Sequence, residues 1–248
     1  MRRRSVTALL ALAMTTTAAV PSHALDGARP MRAVEHAFVA MGLPITVPDK
    51  VWDRDTGRAT CIWRELTGRE PVRSWPTLTE IPEILATAQL PPAANMVLGL
   101  NISVTCQAAV WVRLTTAPDS GLPAFADETS PEWGNVPDTT TSPQRRVVAV
   151  MPVSTGMPDS YPTRVGLHRV SWTVDRWWQS TIYADGKMYR PMFFAKGQAL
   201  HGSSSDTLVK WYPASHGCVR MLHKDIDALW AGGFGRGDKV RVYGEWNG

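Results

Sequence analysis

The spacing of apolar residues changes once along the chain, from a helical period to a strand period. Between residues 30 and 90, apolar side chains recur at i, i+3, i+4 and i+7, which is the spacing of one helix face. Two such stretches, each followed by a glycine, predict two helices, and we expect Asp55 or Thr56 to cap the second. The apolar positions are Val34, Ala37, Phe38 and Met41 before Gly42, and Ala59, Ile62, Trp63 and Leu66 before Gly68. After Gly68 the helical pattern is interrupted by Pro71, Pro76 and Pro82.

From about Val97 the period becomes two. Ile102, Val104 and Cys106 alternate with polar residues, and a second alternating stretch comes after a turn near Gln107. The pattern predicts a mainly β domain over residues 96–246, sandwich-like or barrel-like, preceded by a small helical module over residues 30–90, an α+β fold overall. Residues 115–144 are polar and rich in proline, and they predict an exposed loop insertion. Further strands are predicted at 147–153, 167–174, 188–194 and 240–243, and a helix at 224–230.

The first 24 residues resemble an export signal. Three arginines precede the apolar stretch Ala8 to Ala13, and Ser22-His23-Ala24 resembles a cleavage site. We therefore expect an exported protein that acts outside the cytoplasm and contacts the membrane only if this segment stays uncleaved. Both the general and the twin-arginine export routes remain open. Without this segment the chain keeps 23 of its 26 basic residues, which nearly balance its 22 acidic residues. It has no basic stripe that would predict a nucleic-acid partner.

Export also bears on the three cysteines, because disulfides persist in oxidising compartments. Cys218 lies in a setting that favours reactivity, so Cys61 and Cys106 are the expected disulfide pair. The alternative is that both are buried free thiols.

The segment from Ser215 to Arg220 carries the strongest chemical indication. Its sequence Ser-His-Gly-Cys-Val-Arg places a thiol beside an imidazole, a glycine and a guanidinium, and His201-Gly202 lies upstream. A thiol attacks carbonyls as the thiolate, which an imidazole base and a nearby cation both favour. Spacing alone leaves His201 and His216 both open as the base.

This segment resembles the signature of the L,D-transpeptidase family, whose catalytic domain is of the YkuD type. That signature is a His-Gly or His-Ser pair, about fourteen residues, and then Ser/Thr-His-Gly-Cys-x-Arg/Asn, and His201 and His216 here flank fourteen residues. The resemblance extends from about residue 100 to 246. Supporting segments are Pro152-Val153-Ser154-Thr155-Gly156, Thr163-Arg164-Val165-Gly166, the stretch from Met188 to Phe194 and the stretch from Val240 to Trp246.

The resemblance implies a role for each residue of the signature. Cys218 would be the nucleophile and His201 its base, with the carbonyl of Gly202 holding the imidazole tautomer. His216 would shape the other side of the thiol, and the N–H groups of residues 216–218, including Gly217, would form an oxyanion hole. Ser215 and Arg220 would bind substrate or brace the loop. Tyr189, Met192, Phe193, Trp177 and Trp178 would line the cleft, whereas His168 and His223 are expected to be structural or exposed.

The implied reaction is acyl transfer between peptidoglycan stem peptides, without metal or other cofactor. The thiolate attacks the carbonyl before the terminal D-alanine of a tetrapeptide stem, and the side-chain amine of a diamino acid in a second stem resolves the thioester into a 3→3 cross-link. Water as acceptor would make the protein an L,D-carboxypeptidase, and the sequence does not choose between the two.

Residues 33–90 partly resemble a peptidoglycan-binding helical module, on Gly42-Leu43-Pro44 and the stretch from Val51 to Thr56. Glycan binding and plain helical packing both remain open for this module. Three other functions compete with the main one. A zinc hydrolase would use His201, His216 and Cys218 as ligands. A papain-like peptidase would need its cysteine before its histidine, and a non-catalytic wall-binding protein would have a decayed site.

Overall fold

The computed structural model describes residues 28–87, 89–90, 95–115, 144–181 and 186–247. The predicted export signal and nearly all of the predicted 115–144 insertion lie outside the described residues. The ends of that insertion are placed, because Thr115 and Gln144 pair with each other at the ends of two neighbouring antiparallel strands. None of the helices in the described ranges has the length and apolarity needed to span a membrane.

The two predicted N-terminal helices form where the apolar periodicity placed them. The side chain that caps the second is Asp53, not Asp55 or Thr56, because its Oδ1 accepts hydrogen bonds from the N–H groups of both residues, at 2.9 and 3.0 Å. A third short helix was not predicted because it contains Pro82. This proline lies in the first turn, where its missing N–H costs nothing. The helices are α1 (Ala28–Ala40), α2 (Arg54–Leu66), α3 (Glu80–Ala86) and α4 (His223–Ala231).

The described strands are β1 (Gly99–Ser103), β2 (Ala108–Thr115), β3 (Gln144–Ser154), β4 (Gly166–Arg169), β5 (Trp172–Thr173), β6 (Trp177–Gln179), β7 (Lys187–Ala195), β8 (Gln198–Gly202), β9 (Val219–Met221) and β10 (Lys239–Tyr243). They form one ten-stranded sheet with the order β4-β10-β1-β2-β3-β9-β8-β7-β5, and β6 also pairs with β7. The sheet is mostly antiparallel, but β1 runs parallel to β10 and β8 runs parallel to β9.

Two hydrophobic cores lie on opposite faces of the central strands. Strand β2 contributes to both because successive side chains point to opposite faces. Ala108, Val110 and Val112 pack against the N-terminal helices, whereas Ala109 and Trp111 pack in the second core with α4. The α+β fold predicted from the sequence, a mainly β sheet assembly with N-terminal helices, is confirmed.

The N-terminal helices are joined to the sheet by apolar packing and by a covalent bond. Phe38, Ile62 and Trp63 share one core with residues of β2 and β3. Within that core the predicted disulfide between Cys61 of α2 and Cys106, in the turn after β1, is formed. The helical module is therefore anchored on the sheet rather than attached through a linker.

Candidate active site

The parallel pair β8 and β9 brings the motif histidine and the cysteine to one face of the sheet. The register pairs Leu200 with Val219 and His201 with Arg220. Because side chains alternate along a strand, His201, Cys218 and Arg220 share a face. Leu200 and Val219 point the other way, into the core with α4. Neither strand was predicted from the sequence, and both are short.

Cys218 is the free cysteine of the chain and is half-buried. Its Sγ accepts a hydrogen bond from the backbone N–H of Ala199 at 3.4 Å, and it packs beside Met188 and Phe193. Burial raises the pKa of the thiol, and the Ala199 N–H and the Arg220 charge only partly oppose this increase. The resting cysteine is therefore predominantly a thiol at neutral pH.

The His201 imidazole is buried and held in one tautomer. Its Nδ1 lies 2.8 Å from the carbonyl oxygen of Gly202, so Nδ1 carries the proton that this hydrogen bond needs and Nε2 is left as the basic nitrogen. Burial lowers the pKa of His201 to about 4. The Gly202 hydrogen bond opposes this decrease and the nearby Arg220 charge adds to it. The site therefore rests as a neutral imidazole beside a neutral thiol.

The residues before Cys218 form a tightly braced loop. The Ser215 hydroxyl donates to the Cys218 carbonyl and accepts from the N–H of Gly217 at 3.1 Å. Gly217 has a φ of 103°, a conformation that favours glycine. Thr163 donates to the Gly217 carbonyl at 2.9 Å. The Gly217 N–H, expected in the oxyanion hole, is thus engaged by Ser215.

Arg220 also braces this loop. Its Nη1 donates to the carbonyl of Ala214 at 3.0 Å, and its side chain is half-buried. Its charge acts on both Cys218 and His201, since it lowers the pKa of each. Of the two roles expected for Ser215 and Arg220, the contacts support loop bracing.

The loop packs so closely on Gly156 that a methyl group has no space there. A Cβ at this position would lie 2.0 Å from the Tyr161 carbonyl oxygen, 2.7 Å from the Gly217 Cα and 2.8 Å from the Thr163 nitrogen, all backbone atoms. We expect Gly156→Ala to displace the loop and to slow acylation of Cys218 by about 100-fold, since a shift near 1 Å misaligns reacting groups to that extent.

Stopped-flow acylation kinetics test this expectation. The matched control is Gly235→Ala, because a Cβ at Gly235 meets nothing within 4 Å. An alanine at 156 that leaves the acylation rate within about twofold of the control would contradict the proposed tight packing.

The N-terminal helical module contacts the segment that leads into the loop before Cys218. Arg58 of α2 donates to the carbonyl of Lys210 at 3.4 Å, and Arg73 donates to that of Trp211 at 3.1 Å. The Trp211 ring also lies under the guanidinium of Arg54, 4.3 Å from its centroid. Ser154 holds the next carbonyl, that of Tyr212. The helices thus help to position residues 210–212, and no pattern in the sequence indicates these contacts.

Of the residues expected in the substrate cleft, Met192 lies elsewhere, whereas Tyr189 lies on the strand next to His201 and Gly202. Met192 is fully buried in the core with α4, so the expectation that it contacts substrate is corrected. The reason is a break in the alternation of β7, where Arg190 has a φ of 46° and the register shifts between Tyr189 and Met192. Tyr189 pairs with Gly202, and its hydroxyl donates to Asp227 at 2.9 Å.

The other aromatic and histidine side chains differ in where they lie relative to the site. His216 is exposed and its ring meets the edge of Tyr161, with centroids 4.7 Å apart. His223 packs against Tyr189 and supports the loop after β8, since its Nε2 lies 2.7 Å from the Ser203 carbonyl oxygen. Trp177 and Trp178 line a separate cavity with Gln179, Lys187 and Ser204. Within the described ranges no three histidine, cysteine or acidic side chains are placed to hold a metal ion.

Residues 135–241 match the family model of the L,D-transpeptidase catalytic domain, YkuD. No curated protein matches the chain. Among solved structures, residues 123–326 of an L,D-transpeptidase from Xylanimonas cellulosilytica superpose with a TM-score of 0.51 at 24% identity, over 86% of this chain and 92% of that one, and share its fold. An L,D-transpeptidase from Stackebrandtia nassauensis gives a TM-score of 0.44 at 17% identity, over 88% of this chain and 92% of that one.

Proposed function

We propose, from the match of residues 135–241 to the model of the L,D-transpeptidase catalytic domain, that the chain is a peptidoglycan L,D-transpeptidase with Cys218 as its nucleophile. We also propose that it acts outside the cytoplasm, on stem peptides of the cell wall, after export through residues 1–24. The observation that carries the proposal is the fixed tautomer of His201 on the sheet face that presents Cys218.

In the first half-reaction His201 Nε2 takes the thiol proton as Cys218 Sγ attacks the carbonyl before the terminal D-alanine. The carbonyl oxygen becomes an oxyanion, which the backbone N–H of Cys218 stabilises, because the N–H of Gly217 is engaged by the Ser215 hydroxyl. The intermediate then collapses, the C–N bond breaks, and the imidazolium returns its proton to the leaving amine of D-alanine. A thioester to Cys218 remains.

In the second half-reaction the side-chain amine of a diamino acid in another stem attacks the thioester. His201 removes a proton from this amine, the C–S bond breaks and the thiol is restored, which leaves a 3→3 cross-link. Water in place of the amine would give an L,D-carboxypeptidase. The difference between these outcomes lies in the acceptor and not in the nucleophile.

The electrostatics of the site favour attack by a thiol that is deprotonated during the reaction. With the pKa of His201 lowered to about 4 and that of Cys218 raised, the ion pair of thiolate and imidazolium is disfavoured at rest. Arg220 then acts mainly in the transition state, where its charge stabilises the negative charge that develops near sulfur.

Intact mass spectrometry after incubation with a carbapenem, an acyl-forming mimic of the donor stem, tests the first half-reaction. We expect a single adduct on the wild-type protein and none on Cys218→Ala. Because the other two cysteines form a disulfide, a single adduct on a thiol can be assigned to Cys218. A folded protein that forms no adduct although Cys218 is a free thiol would exclude the cysteine nucleophile and favour the non-catalytic wall-binding alternative.

Products from tetrapeptide stems test the second half-reaction. A cross-linked dimer in the presence of an acceptor stem supports the transpeptidase, and a tripeptide alone supports the carboxypeptidase. Adding acceptor stems at increasing concentration and measuring the ratio of the two products gives the partition of the thioester directly.

A further inference from the structure

A cavity of about 460 Å³ opens beside the catalytic loop, on the side of His216. Its lining includes Tyr161, Arg164, Val165, Gln198 and His216, and we call it the Arg164 cavity. It is distinct from the cavity of similar volume that Trp177 and Trp178 line.

The walls of the Arg164 cavity are fixed to each other and to the nucleophile. The Gln198 side chain accepts from the Arg164 N–H and donates to the Pro162 carbonyl, both at 2.9 Å. Gln198 directly precedes Ala199, whose N–H contacts Cys218 Sγ. On the other wall, Thr163 holds the Gly217 carbonyl. The cavity therefore keeps a set position relative to the sulfur.

The cavity differs from the rest of the site in its charge. The Arg164 side chain is exposed and lines the cavity, and among the residues that the structure describes no carboxylate forms an ion pair with it. Arg220, which was expected to bind substrate or to brace the loop, donates instead to the Ala214 carbonyl. The second cavity presents indole rings and the ammonium of Lys187, a different recognition surface.

We propose that Arg164 binds the terminal carboxylate of the donor stem, the carboxylate of the D-alanine that leaves. This inference rests on the proposed function, in which only the last residue of the stem is removed. A planar guanidinium matches a carboxylate with two parallel hydrogen bonds, which makes arginine suited to recognise a chain end. His216 lines this cavity and belongs to the loop before Cys218, and we therefore place the residue after the reacting carbonyl in the cavity.

Specificity for a free chain end is the consequence of this assignment. A donor whose last residue ends in a carboxamide loses the charged partner of Arg164 and leaves the guanidinium with a neutral group. We expect the wild-type protein to release the last residue of a tetrapeptide about 10- to 100-fold faster, in kcat/KM, than that of the tetrapeptide amide.

The test compares both donors on the full-length wild type, Arg164→Gln, Arg164→Lys and Arg236→Gln. We expect Arg164→Gln to process the free acid about 10- to 100-fold more slowly and to treat acid and amide almost equally. Arg164→Lys should restore part of the preference, because it keeps the charge but not the bidentate geometry. Arg236→Gln removes the same charge from an exposed turn before β10 and should behave as wild type.

Arg164→Gln that keeps the wild-type preference for the free acid would overturn the proposal. A donor amidated on the diamino acid instead of on the chain end provides the second arm. If Arg164→Gln abolishes discrimination against that donor and not against the terminal amide, the assignment to the terminal carboxylate is wrong.

Alkylation of Cys218 by iodoacetamide separates this proposal from the proposed function. The reagent carries no carboxylate, so its rate in Arg164→Gln should match wild type if the nucleophile is intact. A wild-type protein that releases no D-alanine refutes the transpeptidase. If the wild-type protein releases D-alanine but Arg164→Gln keeps the same preference for the free chain end, only the role of the Arg164 cavity is refuted.

Discussion

Replacing His201 by glutamine is expected to slow acylation of Cys218 by about 10²- to 10⁴-fold, the range that a general base contributes. Glutamine keeps a polar side chain of similar length but has no basic nitrogen to take the thiol proton. His36→Gln is the matched control, since His36 is exposed on α1, away from the site. The measurement is the single-turnover rate of carbapenem adduct formation.

The pH dependence of the same rate gives an independent check. A lowered pKa means that His201 stays neutral, and so able to accept a proton, as the pH falls from 8 to 5. We therefore expect a flat acylation rate over this range and a loss of about tenfold per pH unit only below the His201 pKa of about 4. His201→Gln should lack this acid limb.

Two results would contradict this mechanism. An acylation rate that falls with a midpoint near pH 6.5 in the wild type would show that His201 titrates as an ordinary exposed imidazole. A His201→Gln variant that reacts as fast as His36→Gln would transfer the role of base to another group. Burial raises the pKa of Asp225, in α4, to about 7, so this group could also titrate between pH 5 and 8. The pH profile of Asp225→Asn, which lacks that titration, is the control.

Removal of the disulfide should produce the largest change in stability. Cys61 and Cys106 are separated by 45 residues and both are fully buried. Loop-closure entropy predicts that Cys61→Ala with Cys106→Ala lowers the free energy of unfolding by about 4 kcal/mol. Denaturant unfolding monitored by tryptophan fluorescence measures the difference.

The fold itself should survive this double substitution at low temperature. The helical module also shares an apolar core with β2 and β3, and Arg58 and Arg73 still hold the segment before the catalytic loop. Reduction of the wild-type disulfide should reproduce the loss of stability, while Cys218 keeps its reactivity. A decrease of less than about 1 kcal/mol would show that the denatured chain gains little freedom from the broken bond.

The sequence predicted those elements whose apolar residues face a single core or alternate regularly between two. Helices α1 and α2 keep a clear helical period, β2 alternates, and the region of β3 is a continuous apolar run; the placement of all four agrees with the structure. Strands β8 and β9 were not predicted because each is short and includes motif residues, whose types reflect chemistry rather than burial. The side of the sheet on which Met192 lies could not be predicted either. The irregularity at Arg190 reverses the alternation of side chains, and no local sequence pattern indicates it.

The residues of the site likewise fall into those that the sequence identifies and those that it does not. Residues contiguous in the motif, from Ser215 to Arg220, could be identified from the chain alone, and the structure brings His201 to them through one strand pair. The supporting contacts from Ala199, Thr163 and Gln198 could not be identified. They come from distant segments and depend on backbone position, which residue types alone do not encode.

The order of the sheet sets a limit on how this catalytic unit can be cut or transplanted. The family match begins at residue 135, yet β1 and β2 come before it and lie in the middle of the sheet, between β10 and β3. A fragment that starts at the match would leave β3 and β10 with open edges, which favour aggregation. The segment that matches the family is thus shorter than the segment that must be transferred to another protein for the sheet to fold.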